Sequence, residues 1–113
     1  MTEADYWKEL EFRITRELAR LEDRARRFLW CDGFIPEEYL LEDPAPRIRG
    51  RAWICNGPRQ EQWEFTLLVH GATRVRDEIC WSALLPPDEA NAWFTLDLDE
   101  QRIELSPHQS SAA

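Results

Sequence analysis

The spacing of apolar residues changes along this chain of 113 residues, and the changes divide it into one helix and a set of strands. Near the start, Trp7, Ile14, Leu21 and Phe28 recur every seven residues, with Leu10, Leu18 and Ala25 between them. A stripe of this period belongs to an amphipathic helix that buries one face. Thr2 and Asp5 have the spacing of a capping box, which satisfies free amide donors at a helix start. Glu9 with Arg13, Glu22 with Arg26 and Asp23 with Arg27 are acid-first pairs four residues apart. Arg24, Arg26 and Arg27 suit the negative end of the helix dipole, and Gly33 supplies a stop. The pattern predicts one helix over residues 4–29, with Trp7, Leu10, Ile14, Leu18, Leu21 and Phe28 against a sheet.

Residues 31–46 read as a connector. Pro36 is placed to open a short helix through Leu41, with Glu37 and Glu38 in its first turn, and the stretch Asp43-Pro44-Ala45-Pro46 is extended. From Arg47 onward the period falls to two. RIRGRAWIC predicts a strand with Arg47, Arg49, Arg51 and Trp53 on one face and Ile48, Ala52 and Ile54 on the other. QWEFTLLVH predicts a second, with Trp63, Phe65, Leu67 and Val69 inward, followed by a turn at His70-Gly71-Ala72-Thr73. RVRDEICWSALL reads as a third, with Val75, Ile79, Trp81 and Ala83 on one side, before a break at Pro86-Pro87-Asp88. WFTLDLDEQRIEL predicts a hairpin that turns near Asp99-Glu100-Gln101.

The expected architecture is α+β: a long N-terminal amphipathic helix on one face of a roughly five-stranded antiparallel meander. Residues 1–106 form the single domain, and residues 107–113 are a flexible tail. A content of 43% hydrophobic residues, 12% of the chain aromatic, supports a packed core rather than a disordered chain. No apolar run approaches the roughly 20 residues of a membrane span. The opening MTEADYWKELEFR lacks the apolar region of a signal peptide, so a cytoplasmic protein without membrane contact is expected.

Cys31, Cys55 and Cys80 are odd in number and lack the close spacing of a zinc site. They are expected to be buried small hydrophobes, with no metal and no cofactor. WCDGF places Cys31 beside Asp32, and His70 or His108 could complete a nucleophilic set, but no nucleophile elbow accompanies them. P-loop, dinucleotide, metalloprotease and EF-hand signatures are absent from the sequence. No catalytic residue is assigned, and a non-enzymatic role is favoured.

The net charge is −8: residues 1–51 carry 10 basic and 12 acidic side chains, and residues 52–113 carry 4 and 10. That field repels a phosphate backbone and argues against nucleic acid as a partner. The arginine row is therefore expected to be a solvated sheet face neutralised by cross-strand acids such as Glu64 or Glu78. Gly50 within it permits a bulge or the close approach of a ligand. Trp7 and Trp63 fall on core faces, whereas Trp93 falls on the side of Asp97 and Asp99, where no core awaits it.

These features predict a small acidic interaction module of inhibitor, immunity or adaptor type. It would hold a protein with a basic surface through Trp93, Asp97, Asp99, Glu100 and Glu104. The alternative is a ligand-binding or enzymatic domain with a pocket between helix and sheet, lined by Trp30, Arg49, Arg51, Trp53 and Trp81. A homodimer formed through the helix stripe or a sheet edge is a third possibility.

Overall fold

The computed structural model describes residues 1–25, 29–75, 78–85 and 94–106. Helix α1 spans Glu3–Ala25, a rod of about 34 Å at 1.5 Å per residue. Its start is the expected capping box: the Asp5 amide donates to Thr2 Oγ1, and the Thr2 amide donates to the Asp5 carboxylate, each at 3.2 Å. Arg13 pairs with Glu9 at 3.2 Å on the helix surface. Tyr6, Trp7, Leu10, Ile14 and Leu18 form the buried stripe. The helix is shorter than the sequence predicts, because Leu29 already belongs to a strand. Phe28, the two arginine pairs beyond Arg13, and the side chain of Leu21 lie outside what is described.

Among the described residues seven strands follow: β1 (Leu29–Leu40), β2 (Arg47–Asn56), β3 (Arg59–Leu68), β4 (Arg74–Val75), β5 (Glu78–Ile79), β6 (Phe94–Asp97) and β7 (Arg102–Leu105). Five make one sheet in the order β1-β2-β3-β7-β6, with α1 on one face, so the molecule is α+β. The sheet is not a pure meander. β3 and β7 run parallel, placing the second strand of the C-terminal hairpin inside the sheet and β6 at its edge. The burial pattern explains that choice: Ile103 and Leu105 of β7 are buried, whereas Phe94 and Leu96 of β6 are only partly so.

The largest departure from expectation is β1. Residues 36–41 were predicted as a short helix, but Pro36 serves as a residue of an edge strand, where a missing amide is tolerated. A proline at a helix start and a proline in an edge strand look alike in sequence; pairing with β2 decides between them. β1 bends twice, between Cys31 and Phe34 and between Pro36 and Glu38. Gly33, with φ of 139°, occupies the first bulge instead of ending the helix. Gly50 makes the second possible. A Cβ there would fall on the Ile35 carbonyl oxygen and lie 2.9 Å from both Pro36 Cα and Phe65 Cε1.

α1 also guards the free edge of β1. The Thr15 hydroxyl accepts the Cys31 amide at 2.9 Å and donates to the Cys31 carbonyl at 3.4 Å. One side chain thus satisfies both backbone polar groups of Cys31 on the edge of β1 that no strand covers.

The segment expected as a third long strand forms instead the two-residue ladder β4–β5 and a 3₁₀ turn over Trp81–Leu84. Leu84 is buried, and Trp81 packs with rings of α1 on the helix side of the sheet. The break at 86–91, Trp93 and the tail at 107–113 lie outside the described residues. Among the described residues, no helix is long and apolar enough to cross a membrane.

Candidate functional site

Alternation along β2 sends Ile48, Gly50, Ala52 and Ile54 into the core and leaves Arg47, Arg49, Arg51 and Trp53 on the face opposite α1. On β3, Trp63, Phe65 and Leu67 are buried, while Glu64 and Thr66 join that outer face. β7 adds Arg102 and Glu104, and β6 adds Thr95 and Asp97. Strand register turns these side chains into rows across the sheet. Arg51 stands opposite Glu64, Glu64 opposite Arg102, and Arg102 opposite Asp97. The next row runs Glu38, Arg49, Thr66, Glu104 and Thr95. Charges therefore alternate from strand to strand, the arrangement that lowers repulsion between neighbours.

The arginine row is thus the solvated face that the sequence predicts, and of the two acids expected beside it Glu64 stands opposite Arg51 and contacts Arg102, whereas Glu78 lies in the separate β4–β5 ladder. Glu37 and Glu38 on β1 and Asp43 add the closer contacts to Arg51, Arg49 and Arg47. Arg51 is held firmly: it reaches Glu37 at 2.7 Å through Nη2, and its Nη1 donates to Gln62 Oε1 at 2.9 Å. That bond keeps the Glu37 carboxyl below its ordinary range and raises Arg51. The pair therefore survives acidification until Glu37 is protonated, and is lost as the pH falls below that point. Arg47 is tied to Asp43 at 3.2 Å and to the Ala45 carbonyl at 3.1 Å. Arg49 and Arg102 touch Glu38 and Glu64 only at 3.9 and 4.0 Å.

The outer face is concave and encloses a groove of about 610 Å³ between β1 and β7. Eight of its eleven lining residues are arginine or glutamate, four of each; Gly50, Phe65 and Thr66 complete it. Pockets for small ligands are mostly apolar with few polar groups. This groove has the opposite balance, which suits a solvated contact surface.

The residues singled out from sequence divide between the two faces. Trp30, Arg49, Arg51 and Trp53 share the outer face; Trp30 stands across from the buried Cys55 and is 38% exposed. Trp81 is on the other side, its ring 5.2 Å from Tyr6 and 5.8 Å from Trp7. Between helix and sheet, Tyr6, Trp7, Phe34, Phe65 and Trp81 interlock ring against ring. Trp7 also donates to Glu3 at 3.0 Å, and the same carboxylate accepts the Tyr39 hydroxyl, pinning the first turn of α1 to β1.

The acidic hairpin separates into two roles. Asp97 Oδ1 accepts the amides of Asp99 and Glu100 at 3.1 and 2.9 Å, which makes Asp97 the brace of its own turn. Asp99 and Glu100 are exposed at the tip, and Glu104 faces the groove. Glu37, Glu38, Thr66 and Arg102 were not selected from sequence. Their grouping depends on two bulges and a parallel pairing that alternation cannot reveal.

The three cysteines are free, with Cys31 and Cys55 buried and Cys80 partly exposed. Burial pushes the Cys31 thiol up to about 12, and burial with nearby Asp32 raises Cys55. The Ser82 hydroxyl and the Ala83 amide lower Cys80. Because the thiolate is the nucleophile, Cys80 is expected to alkylate first at neutral pH, with Cys31 last. Peptide mapping after brief iodoacetamide treatment checks this; prior labelling of Cys31 or Cys55 would contradict it. Among the described residues, no group of three or more His, Cys, Asp or Glu side chains is arranged to hold a metal ion. Comparison with protein-family models, curated proteins and solved structures gives no match in any of the three.

Proposed function

We propose that this protein is a small interaction module that binds a protein with a basic surface through the outer face of its sheet and the acidic β6–β7 hairpin. The observation that carries this reading is the contrast between the two faces. The inner face is filled by α1 and the aromatic cluster, while no described element covers the charged outer groove. On the β6–β7 hairpin, where Glu104 lines the groove and Asp99 and Glu100 form the exposed tip, none of the three has a basic side chain paired with it among the described residues. Exposed charges of this kind steer encounter and set register more than they hold a complex together. With a net charge of −8, the steering favours cationic partners and disfavours polyanions.

The test uses Asp99→Lys, Glu100→Lys and Glu104→Lys together. Asp97 is left intact because its carboxylate braces the turn. The triple variant should remain folded by circular dichroism, since exposed substitutions usually stay within about 0.5 kcal/mol. Its association rate with the partner captured by the native protein should fall. The deficit should shrink between about 0.01 M and about 1 M salt, where the Debye length drops from about 30 Å to about 3 Å. Equal association rates for the two proteins at low salt would remove the hairpin from the interface.

A further inference from the structure

We propose that Arg49, Thr66 and Arg102 together receive one carboxylate of a partner polypeptide, an acidic side chain flanked by basic residues. The inference rests on the interaction reading above and specifies the chemistry of the partner at the groove. Of the four arginines lining it, Arg47 and Arg51 are committed to protein acceptors. Arg49 and Arg102 are 49% and 47% exposed, and their nearest carboxylate contacts, at 3.9 and 4.0 Å, are too long for hydrogen bonds. Neither guanidinium donates a hydrogen bond among the described residues, and the Thr66 hydroxyl is equally uncommitted.

Register brings the three together. Arg49 is the cross-strand partner of Thr66, and Arg102 is the partner of Glu64, two positions along β3. With strands about 4.8 Å apart and a rise of about 3.4 Å per residue, Arg49 and Arg102 stand about 10 Å apart across β3 and about 7 Å apart along it, a span that two arginine side chains can close from opposite sides onto one ligand. Two guanidiniums and a hydroxyl, all able to donate, thus line one groove from three adjacent strands. A carboxylate is the natural acceptor for such a fork.

The surrounding acids define the rest of the ligand. Glu38, Glu64 and Glu104 line the same groove and repel a phosphate or a run of acidic residues. When the incoming carboxylate takes Arg49 and Arg102 from their loose partners, Glu38 and Glu64 are left to pair with cations beside it. The occupant that satisfies Arg49, Arg102, Glu38 and Glu64 together carries one acid between two bases.

The experiment is an NMR titration of the full-length ¹⁵N-labelled protein with three probes: acetyl-Lys-Glu-Lys-amide, acetyl-Lys-Gln-Lys-amide and inorganic phosphate. The first should shift the Thr66 amide and the Nε–Hε signals of Arg49 and Arg102. It should bind about tenfold more tightly than the glutamine peptide, a difference of about 1.4 kcal/mol. Arg49→Gln and Arg102→Gln should each abolish the preference, while Arg47→Gln, at an arginine already engaged, should keep it. Equal response to the two peptides, stronger binding of phosphate, or no response at these signals would overturn the site. If the site fails while the hairpin variant still slows association with the captured partner, the interaction reading stands without this contact.

Discussion

Gly50→Ala should destabilise the protein by about 3 kcal/mol, the upper part of the usual range for forcing extra atoms into a packed interior. The added methyl would meet the backbone carbonyl of Ile35, and also Pro36 Cα and Phe65 Cε1 at 2.9 Å. A flexible side chain could turn away, but two of these three atoms belong to the main chain of β1. Relief therefore requires β1 to lift off β2 at its second bulge, with Arg51 losing Glu37 as it goes. Gly71→Ala is the control, since a Cβ at Gly71 meets nothing within 4 Å. Urea midpoints should separate the two variants widely. Coincident midpoints would mean that β1 does not cross Gly50 as closely as described.

A comparable loss, about 3–5 kcal/mol, is expected for Trp63→Ala. Trp63 is fully buried on β3, opposite Ala52, the smallest inward side chain of β2 after Gly50. The large ring and its small neighbour fill one layer of core between them. Trp63→Phe should be far milder than its loss of volume suggests. The indole Nε1 is buried without a hydrogen-bond partner among the described residues, and an unpaired buried donor costs about 1–3 kcal/mol. Phenylalanine removes that cost along with part of the packing. Denaturation followed by far-ultraviolet circular dichroism compares the two, and a phenylalanine variant as unstable as the alanine one would show that the N–H is satisfied.

What was legible in the sequence was local. The i,i+4 recurrence of Leu10, Ile14 and Leu18, the Thr2–Asp5 cap and the alternation through β2 and β3 each depend on residues close together in the chain. The β6–β7 hairpin was legible for the same reason, with Phe94 opposite Leu105 and Leu96 opposite Ile103. β1 was not, because Pro36 followed by Glu37 and Glu38 has the local chemistry of a helix start. Only the neighbouring strand overrides it. At the candidate site, the arginine row could be read from alternation alone. Of its carboxylates, Glu64 and Glu104 could also be named, but Glu37 and Glu38 could not, since they reach it across bulges, and neither could Arg102, which reaches it through a parallel strand.

The position of β7 has a consequence for how the molecule forms. Residues 64–67 of β3 pair with residues 102–105, and the intervening chain must be made and folded back before this contact exists. Until then β3 is an open edge that carries Trp63, Phe65 and Leu67 on one side. Such an edge can recruit a strand from another chain. Pairing between distant segments is also slow, because loop closure must precede any gain from contact. The α1–β1–β2–β3 portion can assemble early, from contacts close in sequence. Until β7 docks, the strand that carries Trp63, Phe65 and Leu67 is therefore the least protected, and the hairpin that bears the acidic tip is also the piece that ends that exposure.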